Sequence, residues 1–299
     1  MDKSLRLTII SPGLQTTIQD QGREPYRPYG VPKAGPMDIG AATLANRLIG
    51  NPEFNPVLEF TLRGPVIKLQ GQGYLSLTGA QFDIKLDQES LPLNQAIAIK
   101  GTHSLSLGNV QSGCRGYLAI AGSWKLQQWL GSCSTSPQNG LELTPDSFIQ
   151  KGTRITVVSG DQNFPVDLQL PKPLKSAVIR ILAGPEYNLL NTAVIKELLS
   201  RKFTISNQSN RMGYRLESSL ANYQTPLEII SSGVVPGTVQ VTHSGQLIVL
   251  MADAQTTGGY PRIANVISYD QDLLAQMKPG DQFRFRLVSL DEAYQELEM

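Results

Sequence analysis

The sequence predicts a mostly β fold of barrel or sandwich architecture, with a few inserted helices. Short runs in which apolar and polar residues alternate recur along the chain, as they do in half-buried strands. The chain of 299 residues also contains 27 glycines and 19 prolines, which separate these runs in the manner of all-β architectures. Periodicity of the helical kind is confined to four segments.

Alternation of apolar and polar residues predicts the strands. The first, Leu5–Ile10, ends at the turn sequence Ser11-Pro12-Gly13, and another strand begins at Ala177. The remaining alternating runs are Tyr74–Thr78, Phe82–Leu86, Ala96–Ile99, Leu105–Leu107, Arg154–Val158 and Phe283–Leu287.

Four segments have helical spacing of apolar residues. The longest predicted helices are Met37–Ile49 and Glu186–Ser200, each with an apolar stripe along one face. A third, shorter helix follows Asp270. A fourth begins at Ser289, where Ser289 and Glu292 have the spacing of a capping box.

The length of the chain allows two ordinary domains or one large β domain, and one segment suggests a boundary between two domains. Leu170–Lys175 alternates proline with other residues, and proline stiffens such a linker because it removes backbone donors. The sequence therefore predicts an N-terminal domain over residues 1–170 and a C-terminal domain over residues 171–299.

Composition argues against several classes of function. The formal net charge is +1 and charged residues make up 17% of the chain, so neither nucleic acid nor an anionic membrane is an expected partner. The N-terminus does not have the form of a signal peptide, and no apolar run is long enough for a membrane helix. We expect a cytoplasmic protein, in which Cys114 and Cys133 are buried or loop thiols.

Familiar catalytic motifs are absent from the sequence. It has no P-loop, no dinucleotide-binding glycine fingerprint and no nucleophile elbow, which leaves no recognisable nucleotide site. The two histidines, His103 and His243, are too few for a metal site. We interpret them as solvated turn residues.

The segment Met251–Pro261, which we call the glycine loop, is the strongest candidate site. It contains Asp253 at the end of a strand and then Thr257-Gly258-Gly259-Tyr260. Paired glycines permit positive φ and let a ligand reach backbone N–H groups, while the hydroxyls can donate or accept. The alternative is a tight turn that needs its glycines for geometry alone, and the segment by itself does not separate the two.

Two further clusters precede the first predicted helix. In residues 16–23, Gln19, Asp20 and Arg23 could orient an amide, an activated carboxylate or a phosphate; the alternative is an ion pair between Asp20 and Arg23. Residues 30–38 lead into the helix, whose N-terminus would favour an anion. Here we favour ordinary capping by Asp38.

Two more clusters lie in the C-terminal half. Asn210 and Arg211, within residues 207–216, suit recognition of a carbonyl or carboxylate, unless they belong to a solvated loop. Gln240 is unusual inside a predicted strand. It is either a ligand-binding amide or a buried amide with its hydrogen bonds satisfied.

Together these clusters resemble a known family. The motifs that carry the resemblance are Pro12-Gly13, Thr17-Ile18-Gln19-Asp20, Gly22-Arg23, Gly30-Val31-Pro32, Gly35, Met37-Asp38, Ala45-Asn46-Arg47-Leu48-Ile49-Gly50-Asn51, Leu58-Glu59, Tyr117-Leu118-Ala119-Ile120-Ala121-Gly122, Leu130-Gly131-Ser132, Ser209–Leu216, Pro236–Gln240 and Asp253–Pro261. They occur in order over nearly the whole chain, which resembles the family of biotin-dependent carboxyltransferases and oxoprolinase C subunits, also called allophanate hydrolase subunit 2. The chain departs from the family at Ser123-Trp124, Cys133 and His243.

The resemblance implies two cyclophilin-like β-barrel domains and an enzyme complex. It implies two partners, the kinase-inhibitor-like B subunit of oxoprolinase and its A subunit, with a small amide or lactam as substrate. The complex would open 5-oxoproline to glutamate with ATP as co-substrate. The alternatives are a carboxyltransferase component that receives a carboxyl group from biotin, and a non-catalytic regulator that binds a kinase-inhibitor homologue.

Under the first interpretation, the clusters divide into binding and catalytic roles. The expected proton acceptors are Asp20 and Asp253. The expected substrate-binding residues, which would stabilise developing charge, are Gln19, Arg23, Asn210, Arg211, Gln240, Thr257, Gly258, Gly259 and Tyr260. We expect the glycine loop to form one wall of a cleft that residues 17–23 and 207–216 complete.

Overall fold

The computed structural model describes residues 4–136, 144, 147, 149–160, 177–223 and 229–295. These residues form two compact units. The first unit contains residues 4–23 and 34–160, and the second contains residues 24–33 and 177–295. The chain therefore contributes a ten-residue segment to the second unit before it completes the first. The predicted linker Leu170–Lys175 lies outside the described residues, and the domain limits at 170 and 171 stay a prediction.

The described part of the first unit is a ten-stranded sheet in which β2-β3-β8-β4-β1-β10-β9 are neighbours in that order. Off this path, β7 pairs with β4, β5 pairs with β7, and β6 pairs with β5. Its strands are β1 (Ser4–Ser11), β2 (Gln15–Gln19), β3 (Val57–Thr61), β4 (Val66–Phe82), β5 (Lys85–Leu86), β6 (Glu89–Ser90), β7 (Ile97–Ser106), β8 (Val110–Ile120), β9 (Ser123–Trp124) and β10 (Arg154–Val158). The 17-residue β4 pairs with β1 along its first half and with β8 along its second. Because one strand changes partners in this way, the sheet curls into a half-barrel.

Alternation along the strands builds the core of this unit. Leu5, Leu7 and Ile9 of β1 are 0% exposed, whereas the residues between them face the other side of the sheet. Helix α1 (Ile39–Leu48) covers part of the sheet. It begins two residues later than predicted, because Asp38 is its N-cap and accepts from the Ala41 backbone N–H at 2.8 Å.

The described part of the second unit has a seven-stranded sheet, in the order β12-β19-β11-β18-β15-β16-β13, and a separate two-stranded ladder of β14 and β17. Its strands are β11 (Val178–Ala183), β12 (Phe203–Thr204), β13 (Gly213–Ser219), β14 (Ser232–Gly233), β15 (Thr238–Val241), β16 (Gln246–Leu250), β17 (Thr257–Gly258), β18 (Arg262–Val266) and β19 (Gln282–Leu287). A single bridge between Ile205 and Leu216 joins the two edges of the sheet. The sheet is therefore a nearly closed barrel, and the predicted mostly β fold class is confirmed.

Three helices of the second unit lie at the predicted positions with two changes. The helix expected to follow Asp270 begins at Ser268 instead and contains Asp270 in its first turn. The segment predicted as the helix Glu186–Ser200 is a 3₁₀ turn followed by α2 (Thr192–Ser200). The break arises at Asn191, which is extended and caps α2 by accepting from Val194 N at 2.9 Å. The others are α3 (Ser268–Ala275) and α4 (Leu290–Gln295).

Ser289 accepts from the Glu292 backbone N–H at 3.1 Å, as the capping-box spacing predicts. Within the described ranges, no helix is both long and apolar enough to cross a bilayer.

Candidate functional site

Asp20, immediately after β2, is the centre of a dense hydrogen-bond cluster in the first unit. Its carboxylate accepts from the Ser132 hydroxyl at 2.5 Å, the Ser134 hydroxyl at 2.6 Å, the Cys133 N–H at 2.8 Å and the Gly22 N–H at 2.9 Å. Burial alone would raise the pKa of Asp20, but these donors outweigh it and hold the pKa below its ordinary value. Asp20 is therefore a carboxylate that fixes the segment 132–134 to the end of β2.

Gln19 and Arg23 hold the same segment from either side of Asp20. Gln19 is 0% exposed; its amide donates to the Thr135 carbonyl at 2.9 Å and its oxygen accepts from Gly35 N at 3.1 Å. Arg23 is 4% exposed and donates to the Ser134 carbonyl, with its guanidinium 5.0 Å from the centre of the Trp129 ring. These two predicted binding residues therefore brace loops in the described structure.

Cys133 belongs to this cluster as well. Its side chain is 1% exposed and its thiol donates to the second Asp20 oxygen at 3.2 Å. Burial and then the negative charge of Asp20 raise the pKa of Cys133 well above its ordinary value. The thiol is therefore neutral and inert, as a buried structural cysteine is.

Residues 30–38 confirm the preferred interpretation of ordinary helix capping. The Met37 N–H donates to Glu59 Oε2 at 2.8 Å, and the Asp38 N–H donates to the Tyr117 hydroxyl at 2.9 Å. The Tyr117 hydroxyl in turn donates to Glu59 Oε2 at 2.8 Å. The Asp38 carboxylate already caps α1, and it would repel the anion that the helix N-terminus could otherwise attract.

In the second unit, Arg211 and Asp253 form a buried ion pair at the root of the glycine loop. Arg211 is 1% exposed and Asp253 is 0% exposed. The two guanidinium nitrogens Nε and Nη2 donate to the two carboxylate oxygens at 2.9 and 2.8 Å. The Asp253 N–H also donates to the Arg211 carbonyl at 2.9 Å. Sequence reasoning assigned both residues to the site, and the structure brings them together.

Gln240 lies beneath the glycine loop. It is 1% exposed, and its amide nitrogen donates to the Tyr260 carbonyl at 3.2 Å. A Cβ on Gly258 would lie only 2.7 Å from that nitrogen. Neither Gly258 nor Gly259 has a positive φ, so the expectation that these glycines serve left-handed backbone is wrong. Gly258 is needed because the loop backbone approaches Gln240 closely.

The remaining predicted residues reach the surface. Thr257 and Gly259 are exposed, and Tyr260 is 37% exposed with its ring 5.7 Å from that of His243. Asn210 is also exposed; its side-chain oxygen accepts from Met212 N at 2.8 Å in a turn. These groups can therefore meet a ligand, while Arg211, Asp253 and Gln240 hold the loops that carry them.

The predicted site residues thus divide between the units. Gln19, Asp20 and Arg23 share one cluster in the first unit, and the others belong to the second unit. Sequence reasoning missed Ser132 and Ser134 as the partners of Asp20. The only signal was the run of small polar residues after Gly131, because a contact across more than a hundred residues leaves no local pattern.

A proton acceptor must be able to reach the substrate. The surroundings of the two expected acceptors, Asp20 and Asp253, can be compared with this requirement. Asp253 is inaccessible in the described structure, and Asp20 is held by four donors at 2.9 Å or less. Their role as proton acceptors stays a prediction. The part of the chain that the structure describes contains no group of three or more His, Cys, Asp or Glu side chains placed to hold a metal ion.

Comparisons with known proteins agree on one family. Residues 29–287 match the family described as "Carboxyltransferase domain, subdomain A and B". The chain is 38% identical over 287 residues to the 5-oxoprolinase C subunit of Escherichia coli (strain K12), and 35% identical over 288 residues to that of Haemophilus influenzae (strain ATCC 51907 / DSM 11121 / KW20 / Rd). Each match covers 96% of this chain and 93% of the relative.

A solved structure of a larger protein is also similar. The crystal structure of the Kluyveromyces lactis urea carboxylase matches with a TM-score of 0.86 and 26% sequence identity, over 99% of this chain but 28% of that one. The chain therefore spans nearly the full length of the oxoprolinase relatives and less than a third of the urea carboxylase.

Proposed function

Since the chain belongs to the carboxyltransferase domain family of subdomains A and B, we propose that it is the C subunit of an ATP-dependent 5-oxoprolinase, which opens 5-oxoproline to L-glutamate. The observation that carries the proposal is the share of each chain that the matches cover. The relatives that are named as the C subunit of 5-oxoprolinase match this chain almost from end to end, whereas the urea carboxylase contains much more than the matched part.

Opening a lactam requires hydrogen-bond donors around its carbonyl group. A lactam carbonyl is a poor electrophile because amide resonance delocalises the nitrogen lone pair. Phosphorylation of its oxygen by ATP makes the carbon open to attack by water, and donors must then stabilise the developing negative charge. The exposed Thr257, Gly259 and Asn210 are the groups in the second unit that we assign to this task.

The buried residues then act by positioning. Arg211 and Asp253 fix the start of the glycine loop, and Gln240 supports its end through the Tyr260 carbonyl. Because both donors and dipoles must be in place before the reaction, a loose loop would lower kcat without any change in the reacting groups.

The proposal requires partner chains. The sequence has no P-loop, so we propose that the A and B subunits of the complex supply or share the ATP site. The same proposal places the complex in the cytoplasm, where ATP is available.

Reconstitution tests the proposal. The purified chain is combined with the A and B subunits, and glutamate formation and ADP release are measured with 5-oxoproline and ATP. We expect turnover that disappears when this chain is omitted. Failure to form glutamate, together with tight binding of the B subunit, would sink the enzyme proposal and favour a non-catalytic regulator.

A second candidate function is a biotin-dependent carboxyltransferase, since the matched family is described as a carboxyltransferase domain and the urea carboxylase structure has the same fold. This function requires a biotin carrier and a biotin carboxylase on other chains. Avidin distinguishes the two candidates, because it blocks carboxyl transfer from biotin and leaves ATP-dependent lactam opening unaffected.

A further inference from the structure

Arg27, in the segment 24–33 that joins the second unit, has an unusual environment. Its Nη2 donates to the Val234 carbonyl, which fixes the guanidinium in place. Its Nη1 is buried and has no hydrogen-bond partner among the described residues. Burial lowers the pKa of Arg27, and the charge of Glu24 opposes that shift. A buried cationic donor without an acceptor is costly, and it indicates an anion that belongs beside it.

A second orphaned donor lies on the strand next to this anchor. Within the described ranges, the Ser232 hydroxyl is also buried and without a hydrogen-bond partner. Ser232 is opposite Gly258 in the ladder of β14 and β17. Val234, two residues further on, donates its N–H to the Thr256 carbonyl at 3.1 Å. Ser232 thus lies in β14, and Arg27 is bonded to the residue that follows β14; β14 pairs with β17 of the glycine loop.

The local charges define what the missing group must be. Arg262 donates to the Gly233 carbonyl at 3.1 Å, but Glu186 neutralises it through contacts of 2.7 and 3.1 Å. Glu24 is likewise paired with Lys33 at 3.2 Å. Arg27 feels the charge of Glu24, but among the described residues no carboxylate is in direct contact with its guanidinium. One guanidinium arm and one hydroxyl suit the two oxygens of a monoanionic carboxylate better than a dianionic phosphate.

We propose that Arg27 and Ser232 form a carboxylate subsite beside the glycine loop, and that it holds the carboxyl group of a small cyclic amide while its amide group meets the loop. This proposal rests on the proposed function, for which it names the part of the substrate that does not react. Binding energy from such a group orients the reacting carbonyl.

Ligand-detected NMR on the full chain tests the subsite without any turnover. The probes are 5-oxoproline, 2-pyrrolidinone, which is the same ring without the carboxylate, and inorganic phosphate. We expect 5-oxoproline to bind more tightly than either of the others, and neither of them to displace it at equal concentration. Arg27→Gln should weaken its binding about ten- to a hundredfold, and Ser232→Ala about two- to tenfold.

Arg284→Gln is the matched control, because it removes the same charge from an exposed position of β19 in the same unit; it should leave binding unchanged. Circular dichroism shows whether Arg27→Gln is folded. If it is not, Ser232→Ala, which removes a single oxygen, decides the matter.

Three outcomes overturn the subsite: no binding of 5-oxoproline at tens of millimolar, equal binding by wild type and the variants, or binding of 2-pyrrolidinone as tight as that of 5-oxoproline. Phosphate binding that depends on Arg27 and excludes 5-oxoproline would overturn the choice of a carboxylate. Binding that depends on Arg27, combined with no glutamate formation by the reconstituted complex, would instead refute the proposed function and leave the subsite standing.

Discussion

Replacement of Gly258 by alanine tests the close approach of the glycine loop to Gln240. The added Cβ would lie 2.7 Å from the amide nitrogen of Gln240, about 0.7 Å inside the 3.4 Å at which ordinary contact begins. The amide nitrogen lies at the end of a flexible side chain, but Gln240 is 1% exposed, so its amide cannot move out into solvent. Either the loop moves or the amide gives up its bond to the Tyr260 carbonyl.

Both outcomes have a cost that can be estimated. Overpacking a filled site costs about 1–3 kcal/mol, and leaving a buried amide unsatisfied costs about 1–3 kcal/mol. Since one outcome or the other suffices, we expect Gly258→Ala to lower the free energy of unfolding by about 1–3 kcal/mol in urea, and to weaken binding of 5-oxoproline if the loop is the part that moves.

Two controls make the reasoning refutable. Gly259→Ala is the same change one residue away, where the nearest atom is 3.5 Å from the new Cβ. This variant should leave the free energy of unfolding nearly unchanged. In a Gln240→Ala background, Gly258→Ala should lose most of its effect, since the obstructing amide is gone. Equal damage from Gly258→Ala and Gly259→Ala, or an undiminished effect in that background, would show that the contact with Gln240 is not the cause.

Three further predictions concern buried or shifted charges. Asp253→Asn leaves the Arg211 guanidinium buried without its counter-charge and should lower the free energy of unfolding by about 3–5 kcal/mol, measured in urea. His103 binds the Asp87 carboxylate at 2.6 Å, which raises the pKa of His103; its stabilisation is therefore present below the unfolded pKa of about 6.5 and lost as pH rises through the folded pKa. An NMR titration should show this raised pKa of His103, and Asp87→Asn should return it towards 6.5. The raised pKa of Cys133 predicts that the native chain resists thiol reagents at about pH 8 and that the unfolded chain reacts.

Each of these predictions has a comparison that could contradict it. Glu292→Gln breaks an ion pair with Arg286 whose partners are 51% and 39% exposed, and it should cost less than about 1 kcal/mol. If Asp253→Asn lowered the free energy of unfolding by no more than Glu292→Gln does, burial of the ion pair would not be the cause of its stabilising effect. An unchanged His103 titration in Asp87→Asn, or equal reaction rates of Cys133 in folded and unfolded chains, would count against the other two.

Local patterns predicted the framework of the fold well. Alternation located β10 at Arg154–Val158 to the residue, because strands with one buried face impose period two on the sequence. The helix break at Asn191 and the end of β4 at Phe82 were missed. Each depends on a single polar residue or turn that competes with a continuing apolar pattern.

The sequence identifies polar residues of the candidate site better than it predicts what each of them does there. The sequence pattern indicates that Gln19, Arg211 and Gln240 are polar groups for a ligand, yet each is at most 1% exposed and bonded within the protein. Sequence alone does not separate a side chain that binds substrate from one that holds a loop, because both require the same donors and acceptors. No local pattern marks Arg27, because its partner Val234 lies about two hundred residues away in the sequence.

The early excursion of residues 24–33 also shapes how the polypeptide acquires its structure during synthesis. Domains generally fold in the order in which they leave the ribosome. This segment emerges among the first residues, whereas the barrel that receives it is completed only when β19 has been made. The first unit can therefore fold before residues 24–33, which interrupt its sequence, have the rest of the second unit to pack against. A fragment that begins after residue 176 would lack residues 24–33, including Arg27. A synthetic peptide of residues 24–33 should bind to this fragment and take the place of that segment.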